Sequence, residues 1–124
     1  MYYKIRLFIF LSFFLVACDS STHWKDAPYE VYTIDSSVNT SLGYAIGDGG
    51  YIERIAPRIT SAGSNDRYVV ARQCKDDGCH FYYIVKQLDS KFSEPNTAVN
   101  GPFSEEDFLS LSEQLKLPQL KPIK

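Results

Sequence analysis

The chain has 124 residues, a formal net charge of −2 and 15% aromatic residues, which leaves room for one domain with an aromatic-rich core. This acidic balance argues against a nucleic-acid partner, because nucleic-acid-binding proteins carry a net basic footprint. It also argues against broad electrostatic adhesion to anionic lipid headgroups.

The first 17 residues have the pattern of an export signal. Lys4 and Arg6 form a positively charged start, and an apolar run of 11 residues follows at positions 7–17. A membrane-spanning helix needs about 20 apolar residues, so this run predicts a signal peptide that is removed. The mature chain then carries 11 basic and 15 acidic residues, a net charge of −4.

The residues that end this run resemble the lipobox of bacterial lipoproteins, in which an aliphatic residue and two small or short ones precede a cysteine: Leu15, Val16, Ala17 and Cys18. The resemblance implies that a diacylglyceryl group is attached to the Cys18 sulfur and that the new amine is acylated. Each buried CH₂ contributes about 0.8 kcal/mol, so two or three acyl chains give stable attachment. We therefore expect a membrane-anchored protein on the outer or periplasmic side of the cell membrane.

The residues after Cys18 bear on which membrane holds the protein and on how the domain is attached. Asp19 resembles the signal that retains lipoproteins in the inner membrane of enteric-type bacteria, whereas Ser20 departs from that signal. The choice between inner and outer membrane stays open. Residues 18–28 are polar and lack a pattern, which predicts a tether leading to a globular domain at residues 29–117.

Alternating apolar residues predict strands at 29–35, 42–46 and 51–59. The glycine-rich residues 47–50 indicate a turn, in which Asp48 is interpreted as a turn residue rather than a metal ligand. Two further strands, residues 67–73 and 80–86, are rich in β-branched and aromatic residues.

Cys74 and Cys79 bracket a Lys-Asp-Asp-Gly turn between the last two predicted strands. In an exported protein this spacing favours a structural disulfide across the neck of a hairpin. A zinc site would need His80 and a fourth ligand, but the mature chain has only one other histidine, His23. A redox pair is typically separated by two residues at a helix start. We therefore predict neither a metal nor a cofactor.

A helix is predicted after Ser104, a good N-cap that is followed by three acidic residues at 105–107. Phe103 and Phe108 fit a hydrophobic staple across this start. One apolar face follows at helical spacing: Phe108, Leu111 and Leu115. Pro118 ends the helix, residues 118–124 are predicted to be a loose tail, and residues 87–101 are predicted to be irregular.

Five strands followed by one amphipathic helix predict an α+β domain. We expect a small antiparallel sheet of about five strands with the C-terminal helix packed on it. A small β-barrel capped by the helix is the alternative.

The mature chain offers little for catalysis. A Ser-His-Asp triad needs a positioned histidine, and only His23 and His80 are present. The acidic residues 105–107 are explained by the helix start. A hydrolase or glycan-binding role would instead use three tyrosines together with Asp48 or Glu53: Tyr44, Tyr51 and Tyr82.

All four arginines of the mature chain lie within 19 residues: Arg54, Arg58, Arg67 and Arg72. Arginine is favoured where a planar fork meets a carboxylate or phosphate. These arginines are therefore candidates for a partner-binding patch. The alternative is a solvated sheet face with ion pairs to Glu53 and Asp66.

Several segments resemble an uncharacterised family of small bacterial lipoproteins, most clearly the Gly-Pro-Phe-Ser-Glu-Glu-x-Phe helix start at residues 101–108. That resemblance implies a fold rather than an activity. We expect a lipid-anchored, non-catalytic binding protein of the cell envelope, either an inhibitor or immunity-type protein or an accessory subunit of an envelope complex. Its expected partner is a protein. An envelope hydrolase or cell-wall glycan-binding domain is the alternative.

Overall fold

The computed structural model describes residues 22–33 and 39–123. The predicted signal peptide, Cys18 and Asp19 lie outside the described residues. Nine strands run through the described part of the chain: β1 Thr22–Asp26, β2 Tyr29–Thr33, β3 Thr40–Ala45, β4 Tyr51–Ile55, β5 Ile59–Ser64, β6 Tyr68–Lys75, β7 Gly78–Val85, β8 Val99–Phe103 and β9 Lys121–Pro122. Two helices precede and follow β8 along the chain, α1 Pro95–Ala98 and α2 Glu105–Leu115.

The strands form two antiparallel sheets. The first has the order β1-β2-β3-β4, and the second has the order β8-β7-β6-β5-β9. The main core joins the inner faces of both sheets, and its fully buried residues come from each: Val31, Leu42, Ala62, Val69, Ala71 and Ile84. Two of them, Val69 and Ala71, stand at alternate positions of β6, as a period of two requires of a face packed against a core.

Helix α2 covers the other face of the second sheet. Phe108 packs there on Val70 and Phe81, with 5.1 Å between the two phenylalanine ring centres. The predicted N-cap is confirmed, since the Ser104 side chain accepts from the Asp107 N–H at 3.2 Å. Three layers result: the first sheet, the second sheet and α2.

The fold is mainly β with one longer helix, which agrees only coarsely with the predicted α+β class. Nine strands in two sheets replace the expected single sheet of about five. Neither sheet closes on itself within the described ranges, so the barrel alternative is not what these residues form. No helix in this part of the chain is long and apolar enough to cross a membrane.

Both predicted flexible ends need correction where they are described. Residues 22–26, assigned to the tether, form β1 and pair with β2. In the predicted tail, β9 pairs with β5 at Ser61 and Ala62. The close approach depends on Gly63, since a Cβ atom there would lie 2.0 Å from the Gln119 carbonyl oxygen. A strand at a sheet edge can form its backbone hydrogen bonds without an alternation of apolar residues. The sequence pattern therefore failed to predict the edge strands β1 and β9.

Candidate functional site: the Phe92 loop

The cysteine pair forms the predicted disulfide. Cys74 and Cys79 face each other in the register of β6 and β7, with their Cα atoms 4.0 Å apart. His80 points to Asp77, with 3.3 Å between Nε2 and Oδ1. Residues 22–33 and 39–123 contain no group of three side chains placed to hold a metal ion. The disulfide joins β6 to β7 at one end of the second sheet.

The structure does not bring the four arginines together. Arg58 is exposed near the disulfide, 3.6 Å from Asp76. Arg72 is half-buried in β6, and its Nη1 contacts the Thr60 hydroxyl at 3.4 Å. Arg67 is exposed at the opposite end of β6, and Arg54 is buried. Of the proposed pairings with Glu53 and Asp66, neither is formed.

A β-bulge in the first sheet turns Arg54 inward. Leu42 and Gly43 are adjacent in β3, yet they pair with residues two apart in β4, Ile55 and Glu53. Arg54 is the extra residue between them. A bulge redirects a side chain in this way, and here Arg54 and Ile55 are both buried although they are consecutive.

Arg54 forms a fully buried ion pair with Asp89, and neither side chain has exposed surface. Its Nε donates to Asp89 Oδ2 at 3.1 Å, and its Nη2 lies 3.0 Å from Oδ1. The Tyr29 hydroxyl donates to the same Oδ2 at 2.9 Å. Burial, aided by this hydrogen bond, raises the pKa of Tyr29, so the hydroxyl stays a donor. The guanidinium carbon also lies 5.4 Å from the centre of the Tyr44 ring.

This network positions a loop more than it stabilises the core. A buried ion pair gains little over apolar residues of similar volume, because both charges lose their hydration. Two of its polar atoms, Arg54 Nη1 and Asp89 Oδ1, have no hydrogen-bond partner among the described residues. Its geometric consequence is specific, since Arg54 Nη2 also donates to the Ser90 carbonyl at 2.8 Å. Arg54 thus holds two consecutive residues of one loop.

We call residues 89–93 the Phe92 loop. Beyond the two residues that Arg54 holds, the loop closes on itself. Ser90 N donates to Ser93 Oγ at 3.0 Å, and Ser93 N donates back to the Ser90 carbonyl at 3.0 Å. Phe92 N donates to Ser90 Oγ at 3.3 Å. Lys91 and Phe92 form the apex of this closed turn.

The apex presents an aromatic side chain to solvent. Phe92 is 85% exposed and Leu88, just before the loop, is 54% exposed. The Lys91 ammonium lies 5.0 Å from the centre of the Phe92 ring. Aromatic residues are enriched at protein interfaces, and a loop whose backbone is fixed before binding loses less conformational entropy when a partner docks. The arrangement suits an apolar anchor that enters a pocket on a partner.

The residues considered for hydrolysis or glycan binding do not form one site. The Tyr44 ring packs against the main core, and the Tyr82 hydroxyl donates to the buried Gln73 Oε1 at 3.0 Å. Tyr51 instead stacks on Tyr32, with 4.0 Å between ring centres. Asp48 accepts from the Gly50 N–H at 3.1 Å, the contact of a turn residue.

The carboxylates considered for the same chemistry are likewise separated. Glu53 accepts from Ser41 Oγ at 3.0 Å, whereas the acidic residues 105–107 stand exposed at the first turn of α2. Catalysis by paired carboxylates needs both groups beside one bond. These positions do not meet that requirement.

The comparisons with known proteins give no match: no family model fits the chain, and no curated protein or solved structure is detectably similar to it. The resemblance to the small lipoprotein family stays a prediction.

Proposed function

We propose that the mature chain is a lipid-anchored, non-catalytic binding protein of the bacterial cell envelope. Its role would be that of an inhibitor, an immunity-type protein or an accessory subunit of an envelope complex. The observation that carries the proposal is the Phe92 loop, which exposes an aromatic side chain and is held by a fully buried ion pair. The loop is the proposed contact with a protein partner.

The envelope location is supported by two features that are independent of the loop. The lipobox residues 15–18 directly follow a charged start and an apolar run. The Cys74–Cys79 disulfide fits an oxidising compartment such as the periplasm, because disulfides are rare in the reducing cytosol. Metabolic labelling with an alkyne-bearing fatty acid tests the anchor. We expect label on the wild type and none on Cys18→Ser.

The partner contact is tested by placing a photoreactive amino acid at position 92 in living cells. Leu109 provides a matched control, since it is also a large apolar residue and is 58% exposed, but it lies on α2. We expect one stoichiometric protein adduct from position 92 and none from position 109. Arg54→Met, which removes the hydrogen bonds from Arg54 to Asp89 and to the Ser90 carbonyl, should weaken the adduct.

Two outcomes would contradict this proposal. The same adducts from both positions would show that the Phe92 loop has no special role. Absence of any protein adduct from position 92, with the protein labelled by fatty acid, would keep the anchor and remove the protein-binding role.

A further inference from the structure

A polar cleft lies at the end of the second sheet opposite the disulfide. Two adjoining cavities of about 560 and 380 Å³ share three lining residues, Asp66, Arg67 and Tyr68. The larger cavity extends past the end of β7 to Gln87, which lies in a short 3-10 turn. The smaller one extends to Lys116, the residue that follows α2. We call the two together the Arg67 cleft.

The turn that divides the cleft is held in one conformation by Asn65. The Asn65 Oδ1 accepts from the N–H groups of Arg67 and Tyr68 at 2.9 and 2.8 Å. Its Nδ2 donates to the Lys116 carbonyl at 3.2 Å, which ties the turn to the end of α2. The Tyr68 ring packs edge-on against Tyr83. The polar groups of the cleft therefore stand on a preorganised backbone.

The charges of the cleft are only partly neutralised. Lys86 also lines it, but its ammonium lies 2.7 Å from Asp26 Oδ2. The Arg67 guanidinium, the Lys116 ammonium and the Asp66 carboxylate form no ion pair with any residue in the ranges described. The Arg67 guanidinium and the Asp66 carboxylate therefore both line the cleft without an ion-pair partner in the described ranges.

This combination selects one ligand chemistry. The planar fork of Arg67 matches a carboxylate with two parallel hydrogen bonds. The Asp66 carboxylate accepts only, so it calls for ligand hydroxyl groups, and the Gln87 amide both donates and accepts. We propose that the Arg67 cleft binds an acidic sugar, with its carboxylate on Arg67 and its hydroxyls on Asp66 and Gln87. The proposal goes beyond the protein-binding role and does not depend on the Phe92 loop.

The test is a titration of the isotope-labelled protein, purified as the cell makes it, followed by NMR shifts of the backbone amides. The probes are N-acetylmuramic acid, a sugar that carries a carboxylate, N-acetylglucosamine, which lacks it, and lactate, which lacks the sugar. We expect saturable shifts at Arg67, Tyr68 and Gln87 with the first probe alone. The titration extends to about 10 mM, above the Kd of weak millimolar binding.

Two arginine variants separate the cleft from general charge effects. Arg67→Gln removes the fork and should weaken binding by roughly tenfold or more, as expected for a lost charge-assisted hydrogen bond. Arg58→Gln removes another exposed arginine, at the other end of the sheet, and should leave the affinity unchanged.

Several results would overturn the proposal. They are equal losses in both variants, equal binding of lactate, equal binding of N-acetylglucosamine, or no saturable shift with N-acetylmuramic acid. If the acidic sugar binds, capture on immobilised, peptide-free glycan strands identifies its source, because the muramic acid carboxyl of intact peptidoglycan is amide-linked to the stem peptide. Capture that Arg67→Gln abolishes assigns the ligand to the cell wall, and binding of the free sugar alone assigns a soluble sugar acid.

Discussion

Removing either partner of the Arg54–Asp89 ion pair should destabilise the domain strongly. Both side chains are 0% exposed, so each single change leaves the other group buried without its counter-charge. Such changes cost about 3–5 kcal/mol. Asp89→Asn should fall at the upper end, because a guanidinium stays charged in proteins.

The double variant distinguishes a buried ion pair from two unrelated packing defects. Arg54→Met combined with Asp89→Asn leaves no buried charge, and the Tyr29 hydroxyl keeps a hydrogen-bond acceptor. We expect its loss of stability to fall short of the sum of the single losses by more than about 1 kcal/mol, as for residues in direct contact. The assay is urea unfolding followed by the fluorescence of Trp24, with free energies compared at a common denaturant slope.

Arg58→Met is the matched control. Arg58 also pairs with an aspartate, but its side chain is 52% exposed and that of Asp76 is 96% exposed. Exposed ion pairs contribute about 0–1 kcal/mol. If Arg54→Met costs no more than Arg58→Met, or if the two single losses add without coupling, the buried pair does not hold the loop as described.

Three further predictions concern other parts of the fold. The Cys74–Cys79 disulfide closes a short loop, with a sequence separation of 5. Reducing it should therefore lower the unfolding free energy by only about 2 kcal/mol, measured by urea unfolding with and without reductant. The pKa of the Asp26 carboxyl is lowered from 3.8, chiefly by the hydrogen bond from Lys86. Its ionised form therefore stabilises the fold above pH 3.8, and this contribution is lost as the pH falls through the lower pKa of the folded state. Asp26→Asn should therefore reduce the loss of unfolding free energy between neutral and acid pH. An unchanged loss would contradict a contribution of the Asp26–Lys86 ion pair. Gly63→Ala should lower the unfolding free energy by about 1–3 kcal/mol, because the added methyl group overlaps the Gln119 carbonyl. It should also expose the Ile123 N–H, which donates to the Thr60 carbonyl, to hydrogen exchange.

The parts of the fold that the sequence predicts are those whose signals are local. The hairpin of β6 and β7 combines β-branched and aromatic strands with a tight turn, and it forms as predicted. The start of α2 likewise depends on residues within one turn of Ser104. Such signals do not require knowledge of what packs against them.

The candidate site escapes sequence reasoning because it depends on distant partners. Asp89 is 35 residues from Arg54, and the inward turn of Arg54 depends on a bulge in its pairing with β3. The four arginines are close together in the sequence, which predicted a common patch, whereas the pairing of the strands places them apart. One signal was available at Phe92, an isolated aromatic residue in a short Ser-Lys-Phe-Ser segment without apolar periodicity. Aromatic residues are enriched at interfaces, so a large aromatic residue outside any predicted strand or helix is a candidate for surface recognition.

The most direct test of the Phe92 loop as a recognition element is the affinity for the partner captured at position 92. The Kd is measured for the wild type, Phe92→Ala and Leu109→Ala, the latter being an exposed apolar control on α2. We expect Phe92→Ala to weaken binding by roughly 30-fold or more, the effect of an interface hot spot, and Leu109→Ala to leave it unchanged. Equal affinities for all three proteins would contradict the assignment of the Phe92 loop as the binding site.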